Sequence, residues 1–173
     1  MKHVQDPNNY WEQLERLEKL IRASELKAGI IFSFHSLVLG VFFNKFEHLK
    51  VMLQNSIVSI TLTFLWLICV IISIYYCFKC FKPQIELKYD KNVFFFGDAV
   101  NAFGSADEYT KKLMEVCASE KELFKHLGEQ IHVESKIIAG KFKCVHNSMK
   151  FFGLSVVFVV MIFGFWLISI EYQ

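Results

Sequence analysis

Three charge-free apolar runs dominate the pattern of this chain: Ala28 to Phe43, of 16 residues, Ile57 to Phe78, of 22, and Phe151 to Ile170, of 20. A helix that crosses the hydrocarbon core of a bilayer needs about 20 mostly apolar residues, with about 17 as the lower end. The second and third runs meet this directly. The first meets it when Leu26 extends it, or when Lys27 and Lys45 snorkel their ammonium groups to the two interfaces. The predicted spans are therefore 28–43, 57–78 and 151–170.

Between the runs the pattern is helical. Tyr10, Leu14, Leu17, Ile21, Ser24 and Ala28 recur at alternating spacings of four and three, an amphipathic seam leading straight into the first run. Asn9, with Glu12 three residues on, predicts the start of one helix over 9–43. Pro83 predicts the end of the second span. Ile85, Leu87 and Tyr89 then alternate with polar residues, the pattern of a short extended piece. The stretch Asn92 to Gly104 carries three successive phenylalanines, expected at a membrane interface or under neighbouring helices. Ser105-Ala-Asp-Glu108 and Ser119-Glu-Lys-Glu122 have the spacing of capping boxes, so a helix opens at each and a break falls near Ser119. Beyond it Leu127, Ile131, Ile138, Phe142, Val145, Met149 and Phe152 predict one apolar face on an uninterrupted helix reaching Ile170. At 1.5 Å per residue it is about 75 Å long, of which about 30 Å fits in hydrocarbon. The fold class is an all-α membrane protein in one domain, 1–173, with three transmembrane helices. A helical cytoplasmic stalk, 83–147, lies between the second and third. Apolar stripes on the N-terminal and 120–150 helices need cover, from each other or from further copies of the chain, so a homo-oligomer is expected.

Composition supports lipid as the second solvent. The chain has 173 residues, is 54% hydrophobic and holds 19 phenylalanines, more apolar surface than so small a soluble domain can hide. A net charge of +2 gives no reason to expect nucleic acid. The placement of charge says more. Five basic residues precede the first span, the first loop holds Lys45 and Lys50, twelve lysines lie between Lys79 and Lys150, and none follows the third span. Basic loops stay in the cytoplasm. The N-terminus and residues 79–150 are thus expected inside, and the short loop and the C-terminus outside, in the cell inner (plasma) membrane. No apolar core early in the chain suggests a cleaved signal. The five cysteines read as small apolar filler in a reducing compartment, Cys77-x-x-Cys80 included.

Candidate chemistry is sparse. No nucleophile motif, phosphate-binding loop, dinucleotide turn or zinc motif is present, so no enzyme and no cofactor is expected. His35 lies midway along the first span, where an ionisable group is costly and reads as functional. The plainer reading is a neutral imidazole hydrogen-bonded to a neighbouring helix. Gly29, Ser33, Ser36 and Gly40 form a stripe of small residues that serves either subunit assembly or packing within one chain. Arg22, Glu25 and Lys27 stand at the membrane edge, as a local Arg22–Glu25 ion pair or as a ligand contact. Asp98, Asn101, Gln130, His132, Ser135, Lys136 and Lys141 are the polar residues nearest the seams. A solvated face explains most of them, while a phosphate-bearing ligand would take Lys136 or Lys141 with donors such as Gln130 and Ser135.

Leu14-Glu-Arg-Leu17, Ile21-Arg-Ala-Ser-Glu-Leu-Lys-Ala28, Phe94-Phe-Phe-Gly-Asp98, Leu127-Gly-Glu-Gln-Ile131, Ser135-Lys-Ile-Ile138 and Lys141-Phe142 occur in an order and spacing that resembles the transmembrane effectors of bacterial Pycsar anti-phage systems, over about Trp11 to Ile170. Glu25 stands where that family usually shows Asp, and Asp98 where a His is common. The resemblance implies a nucleotide cyclase as functional partner and a cyclic nucleotide as ligand. It also implies a response in which inner-membrane integrity is lost and the infected cell dies before phage mature. Two other readings stay open on the residues alone: a structural or adaptor protein docking a cytoplasmic partner, and a small constitutive channel component.

Overall fold

The computed structural model of the chain describes residues 6–46, 56–82 and 91–171. They form five helices and, among the described residues, no strand: α1 (Pro7–Asn44), α2 (Ile57–Phe81), α3 (Phe96–Asn101), α4 (Ala106–Ala118) and α5 (Glu120–Glu171). The extended piece expected at residues 85–89 and the stop expected at Pro83 lie outside the described residues.

Local chemistry sets the helix ends. α1 starts two residues before the expected Asn9. The Asp6 carboxylate accepts from the Asn8 N–H at 3.0 Å, and Pro7 occupies the first helical position. Proline is favoured there because its fixed φ suits the helix and its missing N–H would have had no partner. Ser105 caps α4 by accepting from the Glu108 N–H at 3.2 Å, while Glu108 reaches back to the Gly104 N–H at 3.0 Å. The reciprocal bond thus lands one residue earlier than in the usual box. Ser119 is extended, and α4 closes on it. Its backbone carbonyl accepts the first bond of α5 from the Leu123 N–H at 2.9 Å. From there α5 runs 52 residues without a break.

The chain divides into two compact units, one of Met1–Arg22 with Pro83–Ala139 and one of Ala23–Lys82 with Gly140–Gln173. The first has an aliphatic core. Leu14, Leu17, Val93, Val116, Leu127 and Val133 are buried. Burying one such side chain is worth about 1.5–3 kcal/mol. Tyr10 packs on Phe124 with ring centroids 5.0 Å apart, and Trp11 meets Phe94 edge-on at 5.4 Å. Phe94 of the aromatic triplet therefore serves this core, whereas Phe96 is exposed. The loop before α3 is held by Asn92, which is buried with all its polar groups engaged. Its side-chain amide donates to the His126 carbonyl and to Glu129, its N–H donates to Asp98, and its Oδ1 accepts from Phe94.

The second unit holds the three helices long and apolar enough to cross a membrane. Its packing runs opposite to that of a soluble bundle. Ile57, Ile60, Phe64, Ile71 and Phe78 of α2 point outward, as do Ile30, Leu37 and Val41 of α1 and Val157, Val160 and Phe163 of α5. The buried seam of α2 reads Ser59, Thr63, Trp66, Val70, Ser73, Cys77 and Cys80, at spacings of four and three. Lipid gives no hydrophobic reason for helices to associate, so small side chains and hydrogen bonds hold the interface. Of the residues expected on the inner face of α5, Val145 is buried but Phe142 and Met149 are exposed, and Lys141, Cys144 and Ser148 are buried in their place. The apolar-inward rule holds against water and gives way against lipid.

Candidate functional site

Three helices of the second unit meet at Lys141. Its side chain is 5% exposed, and its Nζ donates to Glu25 Oε1 at 2.7 Å and to the Cys80 carbonyl at 2.6 Å. The Cys80 carbonyl lies in the last turn of α2, where no N–H further along the helix reaches it. A cation there satisfies an orphan acceptor and complements the negative end of the helix dipole. The Cys80 thiol closes the joint, facing the Ser24 and Lys141 carbonyls at 3.9 and 4.0 Å. Glu25 comes from α1, Cys80 from α2 and Lys141 from α5, so one ammonium group ties all three.

The Arg22–Glu25 ion pair expected from the sequence does not form. Glu25 pairs with Lys141, 116 residues away, and Arg22 pairs with Glu18, one turn back on α1. Arg22 and Glu18 are both largely in water, where the pair holds little energy. Glu25 turns inward because a buried ammonium left unpaired would cost several kcal/mol. Lys141 likewise leaves the solvated face to which its neighbours in sequence belong.

A second polar cluster follows about two turns deeper. The Ser73 hydroxyl donates to the Ser148 carbonyl at 2.9 Å, and the Ser148 hydroxyl donates to the Ser73 carbonyl at 3.1 Å. The Cys77 sulfur lies 3.0 Å from the Ser148 oxygen. Ser73, Ser148 and Cys77 have no exposed surface, so this clasp lets α2 and α5 approach closely. Cys77 and Cys80 also pack with Ala28, Ile31, Cys144 and Val145 in one core cluster, the setting of small filler. His35 is 2% exposed and meets Phe152 edge-on at 5.2 Å. Its Nε2 is buried without a hydrogen-bond partner among the described residues.

The remaining candidates are placed apart. Lys27 and Lys136 are exposed. Asp98 accepts from the Asn92 N–H at 2.8 Å and Asn101 donates to the Gly97 carbonyl at 2.9 Å, both closing local turns. Gln130 donates to Glu134 at 3.1 Å, and Ser135 is half-buried. Burial pushes the Glu134 carboxyl above its ordinary range; the Gln130 amide opposes this and the nearby Glu18 adds to it. In the small-residue stripe, only Gly29 has a neighbour near its absent Cβ, the Phe81 ring at 3.9 Å. Ser33, Ser36 and Gly40 face outward. Sequence reasoning had missed Asn92, Ser73, Ser148 and Cys80. The one available signal was the seven-residue step Lys141, Ser148, Ser155, which sets three polar residues on a single face of α5.

Polar side chains turned inward and aliphatic ones turned outward define a multi-pass helical membrane protein. The model of the Pycsar effector protein domain matches residues 9–168, nearly the whole chain, and the chain belongs to that family of membrane effectors of Pycsar anti-phage systems. No curated protein and no solved structure matches the chain.

Proposed function

We propose that the chain is a non-enzymatic effector, switched by a cyclic nucleotide that a partner cyclase makes on infection, and that its switching impairs the inner membrane. The observation that carries the reading is the Glu25–Lys141–Cys80 joint, which binds the three span-length helices at one point through one buried charge. α1 and α5 each contribute residues to both compact units. A ligand taken up by the first unit, with Gln130, Ser135 and Lys136 as its candidate contacts, acts on the same two helices that supply Glu25 and Lys141. At 52 residues α5 is ~78 Å long, and the part that exceeds about 30 Å of hydrocarbon forms a cytoplasmic stalk.

The distribution of lysines puts the stalk and the N-terminus inside the cell. A population moved from mostly closed to mostly open needs about 5.5 kcal/mol of differential affinity, more than a few charge-assisted contacts supply to one chain. Copies that share the change divide that requirement, and the outward stripe of Ser33, Ser36 and Gly40 offers them a close-packing face.

The test is to follow membrane potential in cells expressing the chain while cyclic mononucleotides are supplied. Loss of potential with one of them is expected. Full potential with all of them, together with recovery of one stoichiometric soluble partner, marks a docking protein instead.

A further inference from the structure

The interior of the second unit holds more polarity than a structural seam needs. Lys141, Ser148 and Ser155 recur every seven residues on α5, steps of about 10.5 Å along the helix, and all three are buried. On the antiparallel α2, Cys80 and Cys77 fill the interval between the Lys141 joint and the Ser73–Ser148 clasp. Deeper still, His35 lies beside Phe152, at a level between Ser148 and Ser155. The hydroxyls of Ser73, Ser148 and Ser155 and the thiols of Cys77 and Cys80 have partners, whereas the His35 Nε2 has none among the described residues. Beyond His35 the Phe42 ring packs on Trp66 at 5.0 Å, with Trp66 only 3% exposed. Past that pair, Thr63 and Ser59 resume the buried polar line on α2.

We infer that this seam is a proton path through a single chain, with His35 as its relay and the Phe42–Trp66 pair as its plug. The inference rests on the effector reading and names the permeant of that membrane impairment. When the helices loosen, water enters between the small side chains and links the hydroxyls. Each hydroxyl or water takes a proton from one neighbour and passes its own to the next. His35 accepts a proton on Nε2 from a water on the outer side, becomes imidazolium, turns about its side-chain bonds, gives the Nε2 proton to a water on the inner side and turns back. The imidazole is regenerated and one proton has crossed. Intramembrane ionisable groups among hydroxyls are the usual parts of such relays. Hydroxyl and imidazole groups linked by water pass protons by exchange, whereas potassium needs a pore that admits its hydration shell or ligands that replace it.

The experiment reconstitutes the full chain into phosphatidylethanolamine–phosphatidylglycerol vesicles holding a pH dye or carboxyfluorescein. Cyclic AMP, GMP, CMP and UMP are added in turn. Proton flux without potassium or dye release is expected with one nucleotide. His35→Asn, polar but non-titrating at this pH, should lose that flux while retaining the thermal shift given by the nucleotide. Trp66→Ala should leak protons with no nucleotide added, and Trp66→Ala combined with His35→Asn should not. Dye release that His35→Asn leaves unchanged overturns the relay and leaves the effector reading standing. Silence under every nucleotide sinks the effector reading. The Trp66→Ala vesicles then decide the relay alone: a proton leak abolished by His35→Asn supports it, and no leak overturns it.

Discussion

At the residue scale, the Lys141 joint sets the sharpest expectations. Glu25→Gln removes the charge that balances a buried ammonium. Breaking a fully buried pair costs about 3–5 kcal/mol; with Glu25 39% exposed, about 1–3 kcal/mol is expected. Thermal unfolding in detergent measures it, and the same variant should depolarise cells at lower nucleotide levels. Lys141→Met removes the cation itself and should be close to neutral for stability, since an apolar side chain of similar length fills the site. A Met variant as unstable as Glu25→Gln would mean that the Cys80 carbonyl, not the charge, is what the joint requires. Glu134 gives the opposite sign. Its carboxyl is held above its ordinary value of 4.5, chiefly by burial, so the folded chain binds the proton more tightly than the unfolded one. Stability is full below 4.5, falls as pH rises through the raised folded value, and stays lower beyond it. Glu134→Gln should raise the melting temperature at neutral pH and flatten its dependence on pH, with no gain under acidic conditions.

Among elements, the serine clasp decides how closely α2 and α5 approach. Ser148→Ala loses two hydrogen-bonding roles yet keeps the volume, for a cost of about 1 kcal/mol. Ser148→Leu forces a large side chain between backbones and should cost about 1–3 kcal/mol or more. If leucine were tolerated as well as alanine in thermal unfolding, close packing at this level would be refuted. These helices were legible in the sequence because their local signals agreed: Ser105 and Ser119 at starts, and seams at four-and-three spacing on α1. The faces were less legible. Phe142 and Met149 look like core positions by periodicity, and Lys141 and Ser148 look like surface. Which solvent meets each face reverses the assignment, and a helical period alone does not name the solvent.

Over the whole molecule, the native thiol of Cys117 reports topology. It is exposed in the first compact unit, while Cys69, Cys77, Cys80 and Cys144 are buried in the second. An impermeant maleimide should therefore label the chain after lysis and not in intact spheroplasts, while Lys45→Cys should be labelled in both. Cys117 labelled from outside would invert the orientation given by the lysines. The first unit packs leucine and valine inward while the second packs serine and cysteine inward.

The sequence by itself determined the three spans, the long helices, the break at Ser119 and the Pycsar resemblance. Each of these depends on residues close together along the chain, or on motifs in order. Only the tertiary structure decided that Glu25 belongs to Lys141, that Cys80 lends its carbonyl, and that Ser73 meets Ser148. These partners are 61 to 116 residues apart, and no local pattern encodes which helix faces which. That choice follows from packing small side chains against each other and pairing every buried charge, conditions that exist only once three helices are assembled in lipid.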